Sequence, residues 1–230
     1  MIKNTAVLLF ANSSAEEQLQ KTIPNSIALF DVLNRKTLET VRRSGLPYFH
    51  FTEKEQQGLT FGERFTNAIQ HVFDEGYENI ITIGNDTPQL KENHLLRSAA
   101  LLNQKKLVLG PSQDGGFYLM GIRRSHFEPA SFLKLPWQTS GLLAALSRLL
   151  TKKADVEIHQ LKPLKDIDRL GDIKVFLNSY RSLAKDIKKV ILALLQLKKD
   201  VITNYLLASY HLVIFSFHNK GSPVFSHSLS

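Results

Sequence analysis

Two short, uninterrupted apolar runs constrain this chain most: Thr5–Phe10 (TAVLLF) and Asn79–Gly84 (NIITIG). A strand with one face in water alternates apolar and polar residues, whereas a run without alternation belongs in a parallel sheet covered on both faces. Helical spacing fills the intervals. Ser26–Ser44 places Ile27, Phe30, Leu33, Leu38 and Val41 on one side, and Tyr48–Phe51 follows as a strand. Thr60 with Glu63 forms a capping box ahead of Phe61, Phe65, Ile69, Val72 and Phe73, and Gly76 ends that helix.

Beyond Gly84 the spacing predicts a helix capped by Thr87 with Pro88 at its first position and running to Gln104, then strands over Lys106–Gly110 and Gly116–Ile122. A helix over Ser140–Leu150, a strand near Val156–Gln160 and a helix over Asp168–Tyr180 complete the pattern. Regular alternation of this kind predicts an α/β fold: a three-layer, open, mostly parallel sheet with right-handed crossovers. Residues 1–180 are expected to form that domain, and residues 181–230 a basic amphipathic helical extension and tail.

Charge supports the division. Residues 179–230 hold seven Lys or Arg against two Asp, which leaves 22 basic and 19 acidic side chains in the rest of a chain whose net charge is +8. A nearly neutral body lacks the basic stripe of a nucleic-acid binder, so no nucleic-acid partner is expected. Cysteine is absent, which excludes disulfides, thiolate zinc sites and thiol nucleophiles. The N-terminal apolar run is too short for a secretory signal and reads as a first strand, so a cytoplasmic location is expected. Leu183, Ile187, Val190, Ile191, Leu194 and Leu195 keep helical spacing among lysines, and Val201–Phe217 carries no charged residue. The stretch 181–217 therefore reads as a helix packed on the body or on a second copy, or as a membrane-surface contact, with residues 201–217 as an interface.

In an open α/β sheet, ligands bind beyond the carboxyl ends of the strands. Asn85 and Asp86 follow the second apolar run, where Asp86 is either a second helix cap or a carboxylate for a hard cation. Gly110-Pro111-Ser112-Gln113-Asp114-Gly115-Gly116 follows a later strand, as a plain turn or as backbone that lets a ligand approach closely. Trp137 and Thr139 precede a helix, and Asp168 either caps the last one or completes a metal site with Asp86. Phosphate-loop, dinucleotide-fingerprint and nucleophile-elbow motifs are missing.

The blocks GLTFGERFTNAI, GYENIITIGNDTPQL, LVLGPSQDGGFYLMGI, LPWQTS and DIDRLGD occur in the order that resembles the DUF2064 family, glycosyltransferase-like proteins with the nucleotide-diphospho-sugar transferase (GT-A) fold, over roughly residues 4–178. The resemblance implies a metal-dependent glycosyltransferase that moves a sugar from a nucleotide sugar to a small acceptor. A nucleotidyltransferase and a catalytically degenerate binding or scaffold subunit are the alternatives. It also implies a divalent cofactor, Mg²⁺ or Mn²⁺, held by Asp86 and Asp168, with Asp166 as the other half of the late Asp-x-Asp pair. Nucleotide or phosphate contacts fall to Phe10, Ala11, Asn12, Glu63, Arg64, Asn85 and Asp86. Acceptor or sugar contacts fall to Gly110, Pro111, Gly115, Gly116, Tyr118, Trp137 and Thr139, with Asp114 as the catalytic base. After the first strand the family carries a basic, glycine-containing loop. Here Ala11–Glu17 reads ANSSAEE, with two acids in place of cations.

Overall fold

The computed structural model describes residues 3–21, 23–151, 157–179 and 185–196. Six strands form one sheet in the order β2-β1-β3-β5-β4-β6. They are β1 (Lys3–Phe10), β2 (Tyr48–Phe51), β3 (Tyr77–Ile83), β4 (Leu107–Pro111), β5 (Phe117–Arg123) and β6 (Ile158–Gln160). Pairings of β1 with β2, β1 with β3 and β4 with β6 are parallel, while β5 runs antiparallel to both β3 and β4. The sheet is therefore mostly parallel, as the apolar runs predict. Ala6, Val7 and Leu8 in β1 and Ile80 and Ile81 in β3 are completely buried.

The helices are α1 (Ser14–Gln20), α2 (Ile27–Arg43), α3 (Phe61–Asp74), α4 (Glu92–Asn103), the short α5 (Pro129–Phe132), α6 (Leu142–Thr151) and α7 (Leu170–Ser179). One group joins α3 with α5, and the other joins α2 with α1 and α4. The two groups are the outer layers of a three-layer α/β fold. Around the sheet lies a core holding Phe65, Ile69, Val72, Phe73 and Phe132. A second core gathers Phe30 and Leu33 of α2, Phe176 of α7, and Ile187, Ile191 and Leu194 of a helical stretch at residues 185–196. The apolar spacing read after residue 180 is thus spent, over these residues, on packing against α2 and α7.

Two elements differ from expectation. Helix α4 begins at Glu92 rather than Thr87, because the Thr87 hydroxyl is engaged elsewhere, by Asp166. The segment read as a loop at 11–17 contains the start of α1, with Ser13 as its N-cap accepting from the Glu16 amide. Val156, Tyr180, Leu183 and Val201–Phe217 lie outside the described residues. Among the described residues, no helix is long and apolar enough to cross a membrane.

Candidate active site

The carboxyl ends of β1, β3 and β4 open onto a cavity of about 650 Å³. Its position follows from strand order, since chain connections leave β1 toward β2 on one side and reach β3 on the other. Two patches of opposite chemistry line it.

The first patch is acidic. Asp114 follows β4, and Asp166 and Asp168 sit on the segment between β6 and α7. One carboxylate oxygen from each of these three lies within 4.8 Å of the others. The Asp166 carboxylate accepts from the Thr87 hydroxyl at 2.5 Å. On Asp114, Oδ1 accepts from the Ser112 hydroxyl (2.5 Å) and the Gly116 amide (3.0 Å), so Oδ2 takes neither bond. Burial pushes Asp166 well above the usual carboxylate range, and the neighbouring charges of Asp86, Asp168 and Asp114 add to this. Asp168 is pushed upward by burial, and by Asp86 and Asp114, against the opposing pull of Lys21.

Lys21 stands just past α1, and its Nζ reaches Asp86 Oδ2 at 2.6 Å and also bonds Asp168. Burial alone would lower its pKa, but these two carboxylates outweigh it and hold the ammonium charged. One turn before Lys21, Glu17 is only 6% exposed. Burial raises its carboxyl from 4.5 to about 7; Asp86 adds to the rise, while Lys21 and hydrogen bonds from Asn12 and Asn85 oppose it.

The second patch is aromatic. Phe10, Phe61, Phe65, Phe117 and Trp137 line the cavity, with Phe65 at the hub. Its ring lies 5.1 Å from Phe10, 5.7 Å from Phe61, 5.2 Å from Trp137 and 6.2 Å from Phe117. Trp137 sits against the first turn of α3, where a Cβ on Gly62 would fall 2.5 Å from its ring.

Of the residues expected at a site from sequence, Phe10, Ala11, Asn12, Arg64, Asn85, Asp86, Asp114, Gly116, Tyr118, Trp137, Thr139 and Asp168 line this cavity. Glu63, Gly110, Pro111 and Gly115 do not. Glu63 is consumed by its capping box, accepting from the Thr60 and Leu59 amides. Gly110 is buried in β4 beneath the Tyr118 ring, and Pro111 accepts the Leu164 amide. Gly115 has φ +94° and is covered by the Ser140 backbone, so it shapes the Asp114 turn from outside the cavity. Asp86 lies outside the three-carboxylate cluster and pairs with Lys21 instead. Sequence reasoning missed Lys21 as well as Glu17, Gln20, Gln56 and Gln138. The available signal for Lys21 was the family's basic loop, since a lysine stands four residues beyond the acids that replace it.

The family model described as an uncharacterized protein conserved in bacteria (DUF2064) matches residues 19–139. The chain belongs to this family. A 2-phospho-L-lactate guanylyltransferase of Methanocaldococcus vulcanius is 32% identical over 94 residues, 37% of this chain; the chain spans 43% of that relative's length. Among solved structures, a protein of Desulfovibrio desulfuricans G20 classed as a nucleotide-diphospho-sugar transferase has a TM-score of 0.66 and 21% identity, over 89% of this chain and 99% of that one. Rv0371c of Mycobacterium tuberculosis H37Rv has a TM-score of 0.50 and 15% identity, over 77% of this chain and 98% of that one. The DUF2064 chain thus has a nucleotide-diphospho-sugar transferase-like fold.

Proposed function

We propose that this chain is a metal-dependent transferase acting on a nucleotide, and that the group it transfers is a nucleotidyl group. The observation that carries the reading is the convergence of Asp114, Asp166 and Asp168 beside Lys21 in one cavity of nucleotide-accommodating size. All-oxygen ligands suit a hard divalent ion, and carboxylates crowded until Asp166 and Asp168 resist ionisation form a site that a cation would relieve. Mg²⁺ or Mn²⁺ fits the donor set. When bound, such an ion supplies neutralising charge to phosphate oxygens.

The chain's own groups then divide the work. The Lys21 ammonium, held charged by Asp86 and Asp168, is the cation placed to bind the departing phosphates. Thr87 orients Asp166. Asp114 faces the acceptor and positions its attacking oxygen. In nucleotidyl transfer that oxygen bonds to the α-phosphorus as the bond to the β-phosphate's bridging oxygen breaks, and pyrophosphate leaves. The guanylyltransferase relative supports this choice. Glycosyl transfer is the second reading, favoured by the fold shared with the Desulfovibrio protein over nearly the whole of both chains.

Calorimetric titration with nucleoside triphosphates and nucleotide sugars, with and without Mn²⁺, tests the proposal. Metal-dependent binding that Asp168→Asn abolishes is expected; its absence across the panel overturns the reading. Product analysis separates the two chemistries, because nucleotidyl transfer releases pyrophosphate and glycosyl transfer releases a nucleoside diphosphate or monophosphate.

A further inference from the structure

The aromatic patch exceeds what packing requires. Phe65 is buried, as a core ring is, but Phe10, Phe61, Phe117 and Trp137 are only partly buried, and all four border the cavity. Large rings left incompletely covered around a cavity present an apolar floor for a flat ligand group. The floor is also held in place. Trp137 Nε1 donates to the Phe132 carbonyl at 2.8 Å, and the missing side chain of Gly62 lets the indole rest on α3. The next residue, Gln138, lines the cavity with φ +59°, a left-handed backbone that a non-glycine residue adopts at a cost.

A cation borders the same floor. Arg64, one turn of α3 from Phe61, lines the cavity and makes no salt bridge among the described residues. Its side chain donates to the Leu59 carbonyl at 3.1 Å, which spends one of five donors and leaves a fork that matches a carboxylate or phosphate. Lys21, in contrast, stands on the acidic side of the cavity, between Asp86 and Asp168. The floor adjoins the acidic patch through its own backbone: the Ser140 carbonyl covers Gly115, and the Leu143 amide donates to the Gly115 carbonyl at 3.0 Å. The loop carrying Trp137 and Gln138 is therefore fastened to the turn that carries Asp114.

We infer that Phe61, Phe117, Trp137, Gln138 and Arg64 form a subsite for a small acceptor that combines a flat apolar ring with an anionic group. Its identity as the acceptor subsite rests on the transferase reading; the subsite itself does not. A nucleobase would match the rings but bring nothing to Arg64, because a nucleotide's anions belong with Lys21 and the carboxylate-bound cation.

Trp137 is the only tryptophan in the chain, so its fluorescence reports occupancy of this floor directly. Phenyl phosphate and phenylacetate are titrated against the full-length protein, with glycerol phosphate as the ring-free control. Saturable quenching by both aromatic anions is expected. Glycerol phosphate and the variant Arg64→Gln should each bind at least about tenfold more weakly. Phe61→Leu should weaken phenyl phosphate without altering nucleotide binding measured by calorimetry. Equal responses to phenyl phosphate and glycerol phosphate overturn the subsite, as does displacement of phenyl phosphate by a nucleotide with Mn²⁺, which would give the floor to the base. If phenyl phosphate binds while no nucleotide does, the transferase reading falls and the subsite stands. Nucleotide binding without any aromatic-anion response has the opposite meaning.

Discussion

The acidic and aromatic patches share one cavity but stand on opposite sides of the stability account. In the aromatic patch, five rings pack on one another through edge-on, tilted and stacked contacts, with Phe65 reaching four neighbours. Every one of those contacts favours the folded state. In the acidic patch, burial and mutual repulsion push Glu17, Asp166 and Asp168 upward, and Lys21 relieves only part of the strain. The fold is thus held by one patch and burdened by the other. Repulsive carboxylates survive in a cavity where a ligand or cation completes them, which is why the acidic patch points to the transfer chemistry, while the incompletely covered rings beside it point to binding.

The largest effect falls on the aromatic side. Phe65→Ala removes the hub of the cluster at a site only 5% exposed, and should cost about 3–5 kcal/mol. Equilibrium urea denaturation measures it. A loss below about 1 kcal/mol would mean that the neighbouring rings collapse into the space and that the patch is not a packed unit.

The second prediction sharpens the acidic side. The Glu17 carboxyl is raised in the folded protein from 4.5 to about 7, so folding favours its neutral form. The stability this gives is complete below the unfolded value and is lost as pH rises through the folded one. Between those limits the wild type should lose up to about 3 kcal/mol relative to Glu17→Gln, which cannot ionise. Denaturation midpoints of the two proteins should converge near pH 4 and separate by about pH 8, with the variant the more stable. Parallel pH profiles would show that Glu17 is not held above its ordinary range.

Local signals made the scaffold legible. The runs in β1 and β3 need no partner to declare themselves, and the Thr60–Glu63 capping box predicts the start of α3 where the structure has it. The same local logic explains why Glu63 is not in the cavity, since its carboxylate is already used by the Leu59 and Thr60 amides. What sequence could not reveal depends on distant partners. Thr87 reads as a helix cap until Asp166, 79 residues away, takes its hydroxyl. Lys21 reads as one more surface lysine until Asp86 and Asp168, 65 and 147 residues away, converge on it. Helix α1 escaped because its only buried residue is the carboxylate Glu17, so no apolar stripe marks it.

A change without loss of stability is expected at Asp166, where burial and neighbouring carboxylates act together. Asp166→Asn keeps an oxygen to accept the Thr87 hydroxyl and removes a charge that burial and three neighbouring carboxylates already oppose. As at Glu17, the folded protein disfavours the charged form, so at neutral pH the amide escapes that penalty and the variant should be at least as stable as the wild type. Divalent-ion affinity should nevertheless collapse, because an amide oxygen replaces one of three carboxylates and brings no charge. Calorimetric titration with Mn²⁺ beside urea denaturation gives both quantities from one preparation. Loss of Mn²⁺ binding without loss of stability separates the two patches cleanly, and retained binding would move the cation away from Asp166, toward Asp86 and Asp168. A large destabilisation would instead mean that Asp166, through Thr87, braces the end of β3 as a structural group, and that the acidic patch supports the fold rather than burdening it.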